Sequence, residues 1–110
     1  MTKKARLDKL WADKVKARDG KCIVCEKTGG LEAHHVLGKA SHRLRYCLAN
    51  GVTLCNYHHI RGIHSDNLRV STSISNAIKL HIGTYLYESL LSLELDNTKL
   101  SLTEAEERLT

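Results

Sequence analysis

Apolar residues recur every three to four positions near the start of the chain, between lysines and arginines. The members of this stripe are Leu7, Leu10, Trp11 and Val15. Such spacing is typical of an amphipathic helix that buries one face, and it predicts a helix over residues 3–18. Gly20 follows shortly afterwards, and glycine favours the left-handed backbone with which many helices end.

One partly alternating run and one short β-branched run lie in the middle section of the chain. Residues 31–36 and 52–54 lie beside glycine or cysteine at their ends, so each run predicts a short strand. The stretch between them, residues 38–50, is polar and basic without a clear period, and it predicts a connecting loop. A helix is expected directly after Cys55, over about residues 56–63.

A strong apolar stripe at helical spacing marks the last third of the chain, and it predicts one long helix over residues 73–93. Its members are Ile74, Ala77, Ile78, Ile82, Tyr85, Leu86 and Leu90. Packing in the core is the simpler explanation of this stripe, and a dimer face is the alternative. Ser101 and Glu104 have the spacing of a capping box, which predicts a short last helix.

The composition is that of one small domain with a modest core. The chain has 110 residues, one tryptophan, and neither phenylalanine nor proline. A bound metal would therefore add useful stability to so small a core. No apolar stretch has the length of a membrane span, and residues 1–6 are not followed by the apolar run of a secretory signal. We therefore expect no membrane partner and a cytoplasmic location, where reduced cysteines often bind metal.

The net charge of +5 is distributed unevenly along the chain. Residues 1–21 carry eight basic and three acidic side chains, a local charge of +5. Residues 82–110 carry six acidic and two basic side chains, a local charge of −4. A basic N-terminal end suits a polyanionic partner such as nucleic acid, although a solvated, lysine-rich helix surface explains the same charges equally well.

Two pairs of metal-type ligands, each with a spacing of three, are the most specific chemical signal. Cys22 and Cys25 form the first pair, and Cys55 and His58 form the second. Structural zinc is commonly bound by two such pairs in a tetrahedron. The pattern therefore predicts a structural Zn²⁺ that joins the end of the first helix to the helix after the second strand. Cys47 is left over, as an alternative ligand or a small buried apolar residue.

Histidines are concentrated in the same region, with six of the seven within residues 34–64. Histidine accepts a proton near pH 7 or binds a divalent ion. His34 and His35 point to opposite faces of a regular strand, so they act together only where the strand is distorted or ends. His59 and His64 are five residues apart, which is poor for sharing an ion on a regular α-helix, unless the glycine between them loosens the turn.

The order of these residues resembles the HNH endonuclease family, whose fold is the ββα-metal (His-Me finger) fold. The order is Cys-x-x-Cys, His-His, Asn, Cys-x-x-His, His and His, and it spans residues 22–64. The resemblance implies one small α+β domain, residues 1–110, in which a hairpin-helix core with zinc knuckles is flanked by a basic N-terminal helix (1–21) and C-terminal helices (73–110). The chain is most similar to small stand-alone HNH proteins of bacteriophages, which implies a bacterial host cytoplasm.

The resemblance also implies a role for each residue of the pattern. His35 resembles the general base, and Asn50 resembles the residue that orients it. His34, His59 and His64 resemble the ligands of a catalytic divalent ion, which would be Mg²⁺, Mn²⁺, Ni²⁺ or Zn²⁺. The expected DNA contacts near the cleft are Lys39, Arg43, Arg45 and Arg61.

The activity that the resemblance implies is metal-dependent hydrolysis of DNA phosphodiester bonds. A histidine base activates water, and one divalent ion stabilises the phosphate and the 3′ leaving oxygen. The leading alternative is a non-catalytic, zinc-stabilised nucleic-acid-binding module. A structure-selective junction resolvase is a further alternative and would need a homodimer, so the expected state is a monomer or a homodimer.

Overall fold

A computed structural model describes residues 1–96 and 98–110, and the prediction of a small α+β domain is confirmed. None of the helices in these two ranges is both long and apolar enough to cross a membrane. The elements, in chain order, are α1 (Lys3–Asp19), β1 (Leu31–His35), α2 (His42–Arg45), a 3₁₀ turn (Leu48–Asn50), β2 (Gly51–Cys55), a π-helix (Tyr57–Ile63), α3 (Leu68–Ile82), α4 (Thr84–Glu94) and α5 (Leu102–Leu109).

Both ends of α1 are capped by the residues next to it. The Thr2 side chain accepts a hydrogen bond from a backbone N–H in the first turn, and Gly20 ends the helix in left-handed backbone at φ 70°. The prediction of residues 3–18 is therefore confirmed to within one residue. The apolar face of α1 packs against both strands and α5, and its buried side chains are Leu7, Trp11 and Val15.

The two strands form an antiparallel hairpin that separates the adjacent histidines. Leu31 pairs with Cys55 and His35 pairs with Gly51, so both strand predictions are confirmed, with differences of one residue at their ends. Successive side chains of β1 alternate between the two faces of the sheet. The His34 ring consequently lies near the π-helix, whereas the His35 ring lies against α1.

The connection between the strands contains more structure than the loop predicted for residues 38–50. It includes α2 and the 3₁₀ turn, which are too short to show a period in the sequence. The buried Asn50 side chain joins the two ends of this connection. Its Oδ1 accepts the Leu37 N–H at 2.8 Å, and its Nδ2 donates to the carbonyl oxygens of Leu37 and Leu44 at 3.2 and 3.0 Å.

The C-terminal apolar stripe belongs to two helices, so the prediction of one helix over residues 73–93 is wrong. Gly83, at φ 86°, separates α3 from α4, a backbone conformation that glycine adopts without strain. The apolar spacing continues across this single residue, which is why periodicity does not reveal the break. Ile78 and Leu90 are buried, so members of the stripe on both helices contribute to the core.

The basic start and the acidic end of the chain pack against each other through α1 and α5. Arg6 and Lys3 lie 2.6 and 3.7 Å from the Glu106 carboxylate. The prediction of a short last helix that begins at Ser101 is confirmed, because the Ser101 hydroxyl accepts the Glu104 N–H at 3.1 Å as an N-cap. The Glu104 carboxylate accepts the Ser101 hydroxyl proton rather than the backbone N–H of a full capping box. Part of the positive charge of α1 is therefore neutralised within the protein, which leaves fewer basic groups on α1 for a polyanion.

Candidate metal centres

The four predicted zinc ligands converge in the structure. The Sγ atoms of Cys25 and Cys55 are 3.8 Å apart, and Nδ1 of His58 lies 3.2 Å from Sγ of Cys55 and 3.8 Å from Sγ of Cys22. All four ligand atoms lie within 4.8 Å of one another. Tetrahedral zinc with its usual bond lengths separates such atoms by about 3.5–3.8 Å, so this group could hold a metal ion such as zinc.

The first ligand pair, Cys22 and Cys25, lies in a tight turn, and backbone N–H groups point at the Cys22 sulfur. The turn closes through the Glu26 N–H, which donates to the Cys22 carbonyl at 2.9 Å. Burial alone would raise the pKa of the Cys22 thiol, but backbone hydrogen bonds, chiefly those of Cys25 and Cys55, outweigh it and lower this pKa. A lowered pKa favours the thiolate, which is the form that binds metal. Cys47 lies outside this group and is half-buried.

A second group of ligand atoms is formed by three histidines. The Nε2 atoms of His59 and His64 are 3.2 Å apart, and the His34 ring lies 5.3 and 5.4 Å from their rings. One nitrogen from each ring lies within 4.8 Å of the others. Burial, followed by the charges of the neighbouring imidazoles, lowers the pKa of His34 to about 4. His34 is therefore neutral at pH 7 and has a lone pair for a metal.

A π-helix explains how two histidines five residues apart reach the same point. The His64 N–H donates to the His59 carbonyl at 3.1 Å, which is the i to i+5 hydrogen bond of a π-helix. The prediction of a helix here is confirmed, and its turns are wider than those of an α-helix. The glycine of this segment packs tightly on α3, because a Cβ added to Gly62 would lie 3.0 Å from Cγ1 of Ile74.

Glu32 contacts the three-histidine group, a role that was not predicted from the sequence. Its Oε1 lies 3.1 Å from Nδ1 of His59, so the carboxylate can accept the Nδ1 proton and leave Nε2 free to bind metal. A carboxylate in this position fixes the tautomer and the orientation of a metal-binding histidine. The signal in the sequence was strand alternation, because Glu32 precedes His34 by two residues and shares its face of β1.

Glu32→Gln is expected to weaken divalent-ion binding by the three histidines about 10–100-fold, since a neutral amide orients and polarises His59 less well. Titration calorimetry with Ni²⁺ on zinc-loaded protein measures this affinity. The matched control is Glu26→Gln. This change removes a carboxylate that directly follows Cys25 and is paired with Lys21. Equal Ni²⁺ affinities for Glu32→Gln and wild type would show that Glu32 does not support the site.

His35 lies at the end of β1, on the opposite face from the three-histidine group. Its Nε2 is 2.9 Å from the carbonyl oxygen of Arg45, so Nε2 carries the proton and Nδ1 keeps a lone pair. Burial lowers the pKa of His35, with partial opposition from the Arg45 carbonyl. Because the strand ends here, both adjacent histidines border one cleft. Its polar lining residues are His34, His35, Lys39, His59 and His64.

Two of the four predicted DNA contacts are bound inside the protein. The Arg43 guanidinium lies 3.6 Å from the Asp96 carboxylate. Arg45 donates two hydrogen bonds to the Asp8 carboxylate, at 2.7 and 2.6 Å. Each of these two arginines therefore has a carboxylate partner within the protein, and contact with phosphate stays a prediction for both. The exposed members of the predicted set are Lys39 and Arg61.

Comparison of the chain with protein-family models, with curated proteins and with solved structures finds no match. The interpretation of the site therefore rests on its geometry. One group of three cysteines and a histidine could hold a metal ion such as zinc. A second group of three imidazoles lies beside it, and both groups take a ligand from the same π-helix.

Proposed function

We propose that the chain is a metal-dependent endonuclease of the HNH type, which hydrolyses DNA phosphodiester bonds. The observation that carries this proposal is a single cleft that is lined both by His35 and by three converging imidazoles from the other face of β1. Neutral imidazoles that share one point are suited to a divalent ion, and a further histidine with a free nitrogen is suited to proton transfer. A module that only binds nucleic acid needs neither feature.

The order of the elements supports the ββα-metal part of this proposal. The first strand carries His34 and His35, and the second strand directly follows Asn50. The helix after the hairpin carries His59, and His64 is the capping residue at its C-terminal end. The group of three cysteines and a histidine joins the end of α1 to the start of this π-helix, which holds the hairpin and the helix in register.

The divalent ion would be held by His34, His59 and His64, and when bound it supplies positive charge that stabilises the phosphate and the leaving 3′ oxygen. The Arg45 carbonyl holds the Nε2 proton of His35, so Nδ1 accepts a proton from the attacking water. The lowered pKa of His35 keeps this base neutral at pH 7. Lys39 is exposed at the edge of the cleft and is placed to contact a backbone phosphate.

Asn50 acts on the base indirectly in this proposal. Its amide joins Leu37, just after the end of β1, to Leu44, whose neighbour Arg45 provides the carbonyl that binds His35. The side chain is fully buried and therefore does not contact substrate. Its role is to hold the two segments that border His35 at a fixed separation.

The test is cleavage of supercoiled plasmid by zinc-loaded protein, with Mg²⁺, Mn²⁺ or Ni²⁺ added separately. We expect ion-dependent nicking or linearisation that is lost in His59→Ala, because one of the three ligands is removed. The matched control is His81→Ala, which removes an exposed histidine from α3 and should cleave like wild type.

Absence of cleavage with every ion would overturn the proposal. If the protein then still bound DNA with an affinity that fell steeply with salt, the zinc-stabilised binding module would be the better interpretation. Binding is measured by fluorescence anisotropy with a labelled duplex at two salt concentrations.

A further inference from the structure

We propose that Trp11 is a positioning residue for the base His35, and that Gly51 provides the space in which its indole lies. This inference rests on the proposed function, because it explains how the base is held. The indole and imidazole rings are stacked, with centroids 3.9 Å apart and planes inclined by 4°. Contact over a whole ring face prevents the imidazole from tilting out of its plane.

A hydrogen bond fixes the remaining freedom of the His35 ring. Rotation within the plane is limited by the 2.9 Å contact between Nε2 and the Arg45 carbonyl. The Arg45 side chain is in turn bound to Asp8 by two hydrogen bonds. Asp8 precedes Trp11 by three residues on α1 and therefore lies on the same helix face. One face of α1 thus holds the base from two directions, which leaves Nδ1 aimed in a defined direction.

The indole itself is held rigidly in this position. Its Nε1–H donates to the Cys47 carbonyl at 2.8 Å, and the side chain is 3% exposed. A Cβ added to Gly51 would lie 2.5 Å from Cζ2 of Trp11 and 2.7 Å from Cγ2 of Val15. The φ of Gly51 is −133°, which any residue adopts, so glycine is needed here for space. Gly51 is also the strand partner of His35.

A purely structural role in the core makes a different prediction from a positioning role. Trp11 belongs to a buried cluster with Leu7 and Val15, and apolar bulk alone would satisfy that cluster. Leucine keeps apolar bulk without a flat face, whereas phenylalanine keeps a flat face without the indole N–H. The comparison of Trp11→Phe with Trp11→Leu therefore separates stacking from simple burial.

The experiment uses zinc-loaded, full-length variants in the plasmid assay and in NMR of the His35 ring protons. We expect kcat for Trp11→Leu to fall about 10-fold or more with KM unchanged, because a misplaced catalytic group loses rate rather than binding. Trp11→Phe should stay within about threefold of wild type, since its ring still stacks. The His35 ring protons should be shifted upfield by the indole in wild type, partly by phenylalanine, and not by leucine.

Two further variants test lost packing and lost space around the indole. Leu7→Val, a mild change in the same buried cluster, is the control for lost packing and should keep the wild-type kcat and His35 shifts. Gly51→Ala should displace the indole and reproduce the Trp11→Leu result. A folded Trp11→Leu protein with wild-type kcat would overturn the inference. If wild type does not cleave, the proposed function fails, and the ring-nitrogen shifts of His35 decide whether Trp11 positions the ring. These shifts report whether the proton stays on Nε2 at the Arg45 carbonyl; a wild-type pattern in Trp11→Leu would then overturn the inference.

Discussion

Cys22→Ser is expected to leave the protein unfolded or aggregated under conditions in which wild type is folded. The four ligands connect the end of α1, the hairpin and the π-helix, so removal of one ligand opens that connection. Structural zinc in small domains contributes about 10–16 kcal/mol at pH 7. Small domains are stable by only about 5–15 kcal/mol in total. Loss of the metal would therefore remove a contribution as large as the whole stability of a typical domain.

The core of the protein shows why a metal ion at this site would have a large effect on stability. Most of the buried apolar side chains that the structure describes form two clusters, one around α1 and α5 and a smaller one between the hairpin and α3. Two of the five buried members of the smaller cluster, Cys22 and Cys55, are themselves predicted zinc ligands. A zinc ion held there would connect this cluster to the π-helix that follows Cys55.

Circular dichroism, gel filtration and zinc content by mass spectrometry measure the outcome for Cys22→Ser. The matched control is Cys47→Ser, which changes a half-buried cysteine outside the ligand group. This control should bind one zinc per chain and unfold near the wild-type temperature. A soluble, folded and zinc-free Cys22→Ser protein would contradict a structural role for the site.

The parts of the fold that could be predicted are those with a local cause. The buried face of α1, its glycine cap and the N-cap of α5 each depend on residues within one or two turns. The convergence of Cys22, Cys25, Cys55 and His58 could be predicted because two ligand pairs with this spacing are typical of one metal site. The opposite directions of His34 and His35 followed from strand alternation alone.

The parts that could not be predicted depend on contacts between distant residues. The ion pair of Arg45 with Asp8 could not be predicted, because neither charge reveals a partner 37 residues away in the sequence. The stack of Trp11 on His35 could not be predicted for the same reason, because it requires α1 to pack on the hairpin. The π-helix also escaped prediction, since helical periodicity does not distinguish its hydrogen-bond pattern over seven residues.

His35→Ala is expected to reduce plasmid cleavage about 10²–10⁴-fold, the usual contribution of a general base. Zinc content, DNA binding and Ni²⁺ affinity of the three-histidine group should stay near wild type, because the His35 ring lies on the other face of β1. Since alanine also leaves a gap beside Trp11, His35→Gln is the second variant, with a side chain that still fills space there.

The comparison of His35→Ala with His59→Ala separates the base from the metal ligands. His59→Ala should lose cleavage and Ni²⁺ affinity together, whereas His35→Ala and His35→Gln should lose cleavage alone. Near-wild-type cutting by both His35 variants would exclude this residue as the base. A loss of Ni²⁺ affinity in the same variants would instead place His35 among the ligands, which its hydrogen bond to the Arg45 carbonyl and its stack on Trp11 argue against.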